Sequence, residues 1–451
     1  MNSNATVIDS SIYRDIFTTP AMRAVWSDER RVQYYLDVEK ALSLVQGRLG
    51  VIPQDAATEI ARHCTVDGMD FAKLKTATER VGFPIMPVVQ QLTARCSGGL
   101  GQWCHWGATT QDISDTATVL QMRAGFELVE RDMLDVIREL ERLAREHRET
   151  PMVGRSHLQQ AVPMTFGYKV AVWLSGFQRQ VERFAQMKPR VLIGELAGAV
   201  GTLASLEGRG FEVQDAVMDE LGLGHPPIAW HTMRDTICEA GCFLGLLCGL
   251  LEKIALDVKL MMMTELDEVA EPAGSGHRGG SSTMPQKRNP ISCAYITACA
   301  GVVRQHVAGL LTAMGSDLER ATGPWEIEWL VLPEIFCYTA GALAQAKFML
   351  GGLEVHPESM LKNLQVTDGL INTENVMMAL GPKMGREIAH DKIADICVQV
   401  AKGNGRLIDL LAADPEIAKI FDRAALEKLL DPRSYVGQSA AMVDRVLGDD
   451  H

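Results

Sequence analysis

The segment VERDMLDVIRELERL, residues 129–143, decides the fold class. Because an α-helix turns once every 3.6 residues or so, apolar residues at alternating spacings of four and three lie on one face. Charged residues fill the positions between them, and Pro151 ends the pattern. The segment therefore predicts a long amphipathic helix, which extends over about 113–149. Its apolar face consists of Val129, Met133, Val136, Leu140 and Leu143.

Four further stretches have the length and composition of long helices. The region 232–268 is apolar on most faces, which indicates burial inside a bundle. The alternating β-branched residues and Asn-Gly turns that are typical of strands and hairpins do not recur. Long helices that follow one another in sequence readily form a bundle. The sequence therefore predicts an all-α protein with long helices over 113–149, 164–187, 232–268, 290–314 and 325–350.

The two ends of the chain differ from this middle part. Residues 1–112 have the pattern of shorter helices. Residues from about 365 onward are interrupted by helix breakers such as Gly381, Gly403 and Pro415. We therefore expect separate helical regions before and after the bundle. Because the long helices are apolar on their outer faces, we also expect the bundle to associate with copies of itself.

Composition and charge argue against several classes of protein. The net charge of −13 and the lack of a Lys/Arg cluster argue against nucleic-acid binding. The longest uncharged apolar run, 240–251, is shorter than the roughly 20 residues of a membrane span. The 10 cysteines form no C-x-x-C pair, and the 11 histidines show no metal-binding spacing. Since no apolar leader precedes the helices, these features predict a cytoplasmic protein without a bound metal.

The segment GGSSTMPQKRNP, residues 279–290, does not have the character of a bundle helix. Its glycines and serines allow a flexible loop whose backbone N–H groups can turn toward an anion. Lys287 adds a positive charge and Asn289 adds a neutral donor. The helix that follows begins with an N-terminus that favours anions. The loop is therefore a candidate anion site, and a solvated linker is the alternative.

Two other polar segments flank the first long helix. Thr109 and Thr110 lie just before it, and this segment alone favours an ordinary N-cap at Thr110 or Asp112 over a substrate role. His157 and Gln159 lie in the connection that follows the helix. A histidine in such a connection can act as a general acid or base, but a lone histidine is more often structural.

Together the three segments resemble the signature regions of the fumarase/aspartase, or fumarate lyase, superfamily. Residues 280–290 match its G-S-S-x-M-P-x-K-x-N-P pattern at every fixed position. Residues 107–116 resemble its G-[AL]-T-S-x-D region. Residues 154–167 resemble G-R-T-H-x-Q-x-A-x-P-x-T-x-G, with Ser156 in place of threonine. The order and spacing also fit, so the resemblance covers nearly the whole chain.

The resemblance implies a fold and an assembly. The fold is the three-domain, all-α, L-aspartase-like fold. Its domains here would be an N-terminal domain over 1–112, a central bundle over 113–364 and a small C-terminal domain over 365–451. The assembly is a homotetramer whose active sites are each built from three subunits. The superfamily acts on small polycarboxylates without a metal or redox cofactor.

The resemblance also implies roles for the loop residues. Ser281 would be the catalytic base, acting as its alkoxide. Lys287 and Asn289 would hold one substrate carboxylate. Nearby cationic and amide donors can depress the pKa of a serine hydroxyl, which is otherwise a weak base.

The other two regions would complete the site. Thr109 and Thr110 would bind a second carboxylate, with Gln159 nearby, and His157 would be the general acid or its helper. This set suits removal of a proton beside a carboxylate, because fixed donors can hold the doubly charged aci-carboxylate that forms. The leaving group on the neighbouring carbon then departs with the help of an acid.

Two departures from the pattern leave the reaction open. Lyases of this superfamily usually pair the histidine with a glutamate at the position of Ala294. The cycloisomerases lack that glutamate, but they tend to carry tryptophan at the position of His157. The strings at 18–22, 230–235 and 319–333 also resemble the cycloisomerase branch. We favour a β-eliminating lyase that releases fumarate or an analogue, and a 3-carboxy-cis,cis-muconate cycloisomerase is the alternative.

Two further possibilities fit the residues less well. A catalytically inactive structural homologue is opposed by the intact Ser281, Lys287 and Asn289. A purine-nucleotide substrate is opposed by the region between Thr76 and Gln90, which lacks the histidine of the adenylosuccinate lyase R-H-D motif.

Overall fold

The computed structural model describes residues 5–274 and 278–448. It confirms an α-helical protein, in which strands form only two small antiparallel pairs within the described residues. In chain order the helices are α1 Arg14–Phe17, α2 Pro20–Val25, α3 Asp28–Arg48, α4 Gln54–His63, α5 Phe71–Val81, α6 Ile85–Arg95, α7 Thr110–Glu146, α8 Phe166–Val191, α9 Gly210–Leu221, α10 Asp235–Met261, α11 Ile291–Ala313, α12 Pro324–Gly351, α13 Pro357–Asn363, α14 Thr373–Met384, α15 Arg386–Ala401, α16 Leu407–Ala413, α17 Arg423–Leu429 and α18 Ser439–Leu447.

The five long helices predicted from periodicity are α7, α8, α10, α11 and α12. Four of them have bounds within a few residues of the prediction. The exception is α10, which ends at Met261 although its apolar pattern continues. The chain then turns, and Val269–Ala270 (β3) pairs with Glu354–Val355 (β4). Apolar residues beyond a helix end can therefore be buried in a strand pair, which helical periodicity does not reveal.

The connection between α7 and α8 is a β-hairpin, which the sequence did not predict. Strand β1 covers Pro151–Ser156 and pairs antiparallel with β2, Gln159–Thr165. The two turn residues, His157 and Leu158, have φ angles of 50° and 65°. Two positive φ angles are typical of a tight hairpin turn, but such turns normally carry Asn-Gly. The missing turn signal explains why the sequence did not predict a hairpin in this connection.

The chain divides into two compact units. The first unit contains 1–133, 180–251 and 295–344, and the second contains 134–179, 252–294 and 345–451. The expected domains over 1–112, 113–364 and 365–451 stay a prediction. In the first unit, α3 packs against α4 and α9. Its core includes the fully buried residues Leu36, Val45, Ile60, Val88, Leu92, Ile113 and Val213.

The second unit contains a smaller core in the C-terminal part of the chain. Helix α14 packs against α15 and α17 there. Burying each large aliphatic side chain contributes about 1.5–3 kcal/mol, so even a short-helix region acquires a stable centre. The fully buried members of this core are Val376, Leu380, Ala389, Leu407, Ile417 and Leu426.

Helix α12 is long and apolar enough, by length and composition, to cross a membrane. However, 56% of its most apolar window is buried inside the protein. It also carries Glu328, whose carboxylate pairs with the buried Arg234. These features are those of a core helix, in which more than half of the most apolar window is buried in the same protein.

Candidate active site

The first candidate segment, Thr109 and Thr110, lies at the start of α7. The carboxylate of Asp112 accepts the backbone N–H of Thr109 at 2.9 Å, as an acidic residue does in a capping box. The suggestion that Thr110 or Asp112 is the N-cap is thus corrected, because α7 begins at Thr110 and Asp112 acts from within the first turn on Thr109, the residue that precedes the helix. Both threonines are half-buried, and neither hydroxyl hydrogen-bonds to any described residue. The two hydroxyls are available to a ligand, so their substrate role stays a prediction.

Asp112 is held from three further directions inside the first unit. Its Oδ1 accepts the N–H of Ala197 at 2.9 Å, and its Oδ2 accepts the N–H of Gly198 at 2.9 Å. The imidazole Nε2 of His231 lies 2.8 Å from Oδ1. Asp112 is fully buried, so these contacts replace the water that its charge would otherwise require. Through Asp112, these contacts hold the start of α7, where the two threonines lie, in place.

His231 in turn lies beside a second buried carboxylate, Glu195. The backbone N–H of Trp230 donates to Glu195 Oε2 at 2.6 Å, while Glu195 Oε1 has no hydrogen-bond partner among the described residues. Burial raises the pKa of Glu195 to about 7, against the opposing effects of His231 and the Trp230 N–H. Burial alone would lower the pKa of His231, but its hydrogen bond to Asp112 and the charge of Glu195 raise it.

A buried ion group continues this network along α7. The guanidinium of Arg234 donates to Asp115 at 2.7 Å and 3.0 Å, and to Glu328 at 2.8 Å and 2.6 Å. All three side chains are at least 95% buried. Two bidentate contacts satisfy an arginine almost completely, which is the condition under which buried charges are tolerated. The string W-H-T-x-R-D at 230–235 therefore carries structural charge partners of α7.

The second candidate segment lies at the tip of the hairpin in the second unit. His157 occupies the turn and Gln159 begins β2, and both side chains are exposed. The turn is strained, because non-glycine residues rarely adopt positive φ, and such strain often marks functional sites. Ala294, at the position of the usual glutamate partner, supplies no carboxylate. Within the described residues, His157 has no hydrogen-bond partner.

The third candidate segment is the loop that contains Ser281. Its ends are closed by Asn289, whose backbone N–H and side-chain Nδ2 both donate to the Gly279 carbonyl, at 2.9 Å and 2.8 Å. Gly279 has a φ of 75°, and a Cβ atom there would lie 2.5 Å from the Asn289 carbonyl oxygen. Gly279, which directly precedes the signature, is thus required for the closed loop.

Ser281 and Lys287 are presented differently by this loop. The Oγ of Ser281 accepts the backbone N–H groups of Thr283 at 3.2 Å and Met284 at 3.0 Å. Lys287 is exposed, and its ammonium group has no ion-pair partner among the residues with described side chains. Two N–H donors directed at one hydroxyl oxygen stabilise its deprotonated form. The ammonium group remains available to an anion.

The predicted site residues therefore fall into three groups. Ser281, Lys287 and Asn289 share one loop, Thr109 and Thr110 share one helix start, and His157 and Gln159 flank one turn. In the described part of the second unit, no hydrogen bond joins the hairpin tip to the serine loop.

Comparisons with known proteins bear on these three groups together. A family model described as lyase matches residues 14–305, and one described as adenylosuccinate lyase C-terminus matches residues 369–446. Trans-aconitate decarboxylase 1 of Mycosarcoma maydis is 51% identical over 96% of this chain and 88% of its own. 3-Carboxy-cis,cis-muconate cycloisomerase of Acinetobacter baylyi is 41% identical, over 97% and 98%. The lyase model covers more than half of the chain. The chain belongs to the fumarate lyase superfamily.

Two further proteins agree with this assignment. N-acetyl-S-(2-succino)cysteine lyase of Dickeya dadantii is 38% identical, over 98% of this chain and 97% of its own. The crystal structure of a fumarate lyase from Mesorhizobium sp. BNC1 superposes with a TM-score of 0.91 at 47% identity, over 96% of this chain and 99% of that one. The relatives are lyases and a cycloisomerase, so this fumarate lyase superfamily member is an enzyme of the lyase or intramolecular lyase type.

One residue of this superfamily member lies beside Thr110 but was given no role from the sequence. His105 and Thr110 line the same pocket, together with Gln90 and Thr93. The ring Nδ1 of His105 lies 2.6 Å from a carboxylate oxygen of the fully buried Glu39. Burial alone would lower the pKa of His105, but the charge and hydrogen bond of Glu39 outweigh it and raise that pKa. A histidine directly ahead of the threonine segment was the available signal, whereas Glu39 is too distant in sequence to be paired with it.

Three residues of the superfamily member could in principle hold a metal ion. One ligand atom each of Asp112, Glu195 and His231 lies within 4.8 Å of the others. However, the oxygens of Asp112 already accept three backbone N–H bonds and face the His231 ring. A cation would have to displace these donors, since only Glu195 Oε1 is left without one. The arrangement therefore fits a hydrogen-bonded network better than a metal centre.

Proposed function

We propose that this enzyme catalyses β-elimination from a succinyl-type polycarboxylate and releases fumarate or an analogue, with Ser281 as the base. The observation that carries the proposal is the Ser281 Oγ, which accepts two backbone N–H bonds in a loop that also carries Lys287. Donors of this kind lower the free-energy cost of forming the alkoxide. No residue in this scheme needs a metal or redox cofactor.

In the proposed reaction, the negative charge that develops on the substrate carboxylate lies next to hydrogen-bond donors of the enzyme. Removal of the carbon-bound proton by Ser281 makes an aci-carboxylate, and Lys287 and Asn289 supply an ammonium and an amide to hold it. Asn289 uses one amide hydrogen to close the loop, so one remains for a ligand. Thr109 and Thr110 offer hydroxyls for a second carboxylate, with Gln159 completing that end. His157 assists departure of the leaving group.

The substrate class is narrowed by the relatives. The compounds in the names of the decarboxylase, the cycloisomerase and the succinocysteine lyase each carry three carboxylates. We therefore propose a tricarboxylate as the substrate. The exposed ammonium group of Lys287 fits this charge, because it supplements the neutral donors of the threonine and asparagine side chains.

A cycloisomerase is the second candidate function. The specific observation in its favour is the absence of a carboxylate at Ala294, which leaves His157 without its usual partner. Lactone formation adds a carboxylate across a double bond, which is the reverse sense of elimination and needs similar acid/base groups. His157 itself argues for the lyase, so this function stays the alternative.

Assembly and location are also proposals. We propose a homotetramer with sites shared between subunits, because exposed apolar residues such as Leu246, Leu311 and Leu330 lie on the long helices. A cytoplasmic location is supported by the ten cysteines, none of which forms a disulfide. We propose no nucleic-acid partner, since the net charge is −13.

The experiment is a substrate panel assayed with wild-type and Ser281→Ala proteins. The panel contains N-, O- and S-succinyl compounds, 3-carboxymuconate and trans-aconitate, read by fumarate formation, diene loss and carbon dioxide release. We expect turnover of a succinyl compound and a loss of about 10²–10⁴-fold in the variant. Turnover of 3-carboxymuconate alone would favour the cycloisomerase, and full activity of the Ser281→Ala protein would exclude Ser281 as the base.

A further inference from the structure

The buried network around Asp112, next to the threonine segment, contains more carboxylates than cationic side chains. Four carboxylates, those of Asp112, Asp115, Glu195 and Glu328, are buried there with two potential cations, His231 and Arg234. Even with both cations charged, the group keeps an excess of negative charge. Because buried charge without a counter-ion is costly, one carboxylate in such a group favours being protonated.

Glu195 is the carboxylate that is arranged to carry this proton. Asp112 accepts three backbone N–H bonds, and the two oxygens of Asp115 accept hydrogen bonds from Nη1 and Nη2 of Arg234. Glu195 Oε1, by contrast, is buried and has no hydrogen-bond partner among the described residues. Its pKa is raised to about 7 by burial, so its charge changes in the physiological pH range.

The charge of Glu195 reaches the threonine segment through two contacts. His231 hydrogen-bonds to Asp112, and one ligand atom each of Glu195, His231 and Asp112 lies within 4.8 Å of the other two. Asp112 holds the N–H of Thr109 at 2.9 Å, and Gln111 donates to the His231 carbonyl at 2.8 Å. Protonation or deprotonation of Glu195 therefore changes the electrostatic environment of Asp112 and His231, which position the threonine segment.

We propose that Glu195 and His231 are positioning residues for the Thr109–Thr110 carboxylate site, acting through Asp112, and that binding of the substrate polyanion is coupled to a proton on Glu195. This inference rests on the proposed function, because it takes Thr109 and Thr110 to bind a substrate carboxylate. A protonated Glu195 removes one negative charge from behind the site and so favours an anionic ligand. The bound anion in turn favours the protonated form, which is the reciprocal effect that linkage requires.

Other titratable groups face this network and have to be separated from it. Asp112 and Asp115 face it from α7, Arg234 and Glu328 are joined to Asp115, and His105 interacts electrostatically with Asp112. Loss of a proton from His105 would also weaken anion binding. The test therefore compares variants at Glu195 and His231 with the wild-type protein across pH, since a wild-type profile alone does not separate the groups.

The test uses calorimetric titration of the full-length protein with propane-1,2,3-tricarboxylate between about pH 6 and pH 8.5. Two buffers of different ionisation enthalpy give the number of protons taken up. We expect the wild-type protein to take up a fraction of a proton near pH 7 and to lose about tenfold in affinity as the pH rises, which is the effect of a one-unit pKa change on binding. In the Glu195→Gln protein, the part of the proton uptake that is due to Glu195 should disappear. This protein should also bind the tricarboxylate more tightly than wild type near pH 8.5.

A second variant keeps the proposal testable if Glu195→Gln does not fold. His231→Gln retains a donor for Asp112 but removes the cation beside Glu195, so proton uptake should move to higher pH. Glu127→Gln, an exposed change on the same helix α7, is the matched control and should behave as wild type. A purely structural role would leave the proton uptake of both network variants unchanged, and that result would overturn the inference.

The outcomes also separate this inference from the proposed function. Binding of the tricarboxylate with identical proton uptake in the wild-type and Glu195→Gln proteins would overturn the positioning role alone. If the wild-type protein bound no tricarboxylate at any pH and turned over nothing in the substrate panel, the proposed function would fall and the inference with it.

Discussion

Arg155 and Glu268 are joined by two parallel hydrogen bonds, from Nη1 to Oε2 at 2.9 Å and from Nη2 to Oε1 at 2.7 Å. Glu268 is fully buried, and Asn363 Nδ2 donates a third bond to it at 3.0 Å. Arg155 lies on β1, two residues ahead of the turn at His157, so the pair holds the strand that leads to the candidate acid. The hairpin tip is exposed, but the end of β1 beside it is fixed by an ion pair whose carboxylate is fully buried.

The first prediction concerns this pair. Arg155→Gln would leave the Glu268 carboxylate buried without its cation, and we expect a loss on the order of 3 kcal/mol in the free energy of unfolding of this region. Hydrogen exchange of the β1 and β2 amides measures the loss locally. The control is Arg423→Gln, whose partners Asp409 and Glu427 are about half exposed and which should cost less than about 1 kcal/mol. Equal effects of the two changes would contradict a structural role for the buried pair.

The fold was largely predictable from the sequence because helical periodicity is local. Helices such as α7 and α12 show their pattern within their own residues, whereas the hairpin turn at His157 and Leu158 lacks the usual turn residues. The signature loop could be recognised as a string. The closure of that loop by Asn289 and the pairing of His105 with Glu39 could not, because each depends on how the folded chain brings backbone or distant side chains together.

The buried network behind Thr109 shows the same limit. The sequence indicated Asp112 as a possible N-cap, whereas the structure places it in the first turn of α7, where it accepts the N–H of Thr109. The sequence did not indicate that His231 and Glu195 converge on Asp112, since they lie 119 and 83 residues away in the chain. Contacts between residues so far apart need the three-dimensional arrangement of α7 and the segments that pack on it.

The second prediction concerns the pH dependence of His105. Its pKa is raised in the folded protein, so its positive charge persists above its ordinary titration range near about 6.5. The stability that this charge contributes is complete below the unfolded pKa and is lost as the pH rises through the folded one. We expect denaturant midpoints of the wild-type protein to fall over this interval, and the fall to be smaller in Glu39→Gln.

The same charge should affect ligand affinity. Because His105 lines the pocket of Thr110, its loss in His105→Gln should raise KM for a polycarboxylate most at low pH, where the wild-type imidazolium is present. His390→Gln, an exposed histidine of the second unit, serves as the control. A uniform change in KM across the pH range would indicate that the imidazole acts by shape instead of charge.

The third prediction tests the threonine hydroxyls. Thr110→Val preserves the shape of the side chain and removes one donor to a carboxylate. A hydrogen bond to a charged group contributes about 1.5–3 kcal/mol, so KM should rise about 10- to 100-fold. Steady-state kinetics on the substrate found in the panel measures this change. Thr76→Val alters an exposed threonine of α5 and should leave KM unchanged. An unchanged KM in Thr110→Val would remove this residue from the site.

The fourth prediction separates the chemistry of His157 from the strain of its turn. His157 and Leu158 have φ angles of 50° and 65°, which suit Asn-Gly better than the residues present. Each strained position costs about 1–3 kcal/mol, so the double change His157→Asn, Leu158→Gly should stabilise the hairpin. If His157 assists the leaving group, kcat should nevertheless fall about 10²–10⁴-fold.

Leu158→Gly alone is the matched control for this last experiment. It relieves strain at the second turn position, where φ is 65°, and it retains the imidazole. Hairpin protection against hydrogen exchange should increase in both proteins, because the relief of strain is independent of the histidine ring. Turnover should fall only in the double variant. A double variant with wild-type kcat would show that the turn keeps His157 for a reason other than proton transfer.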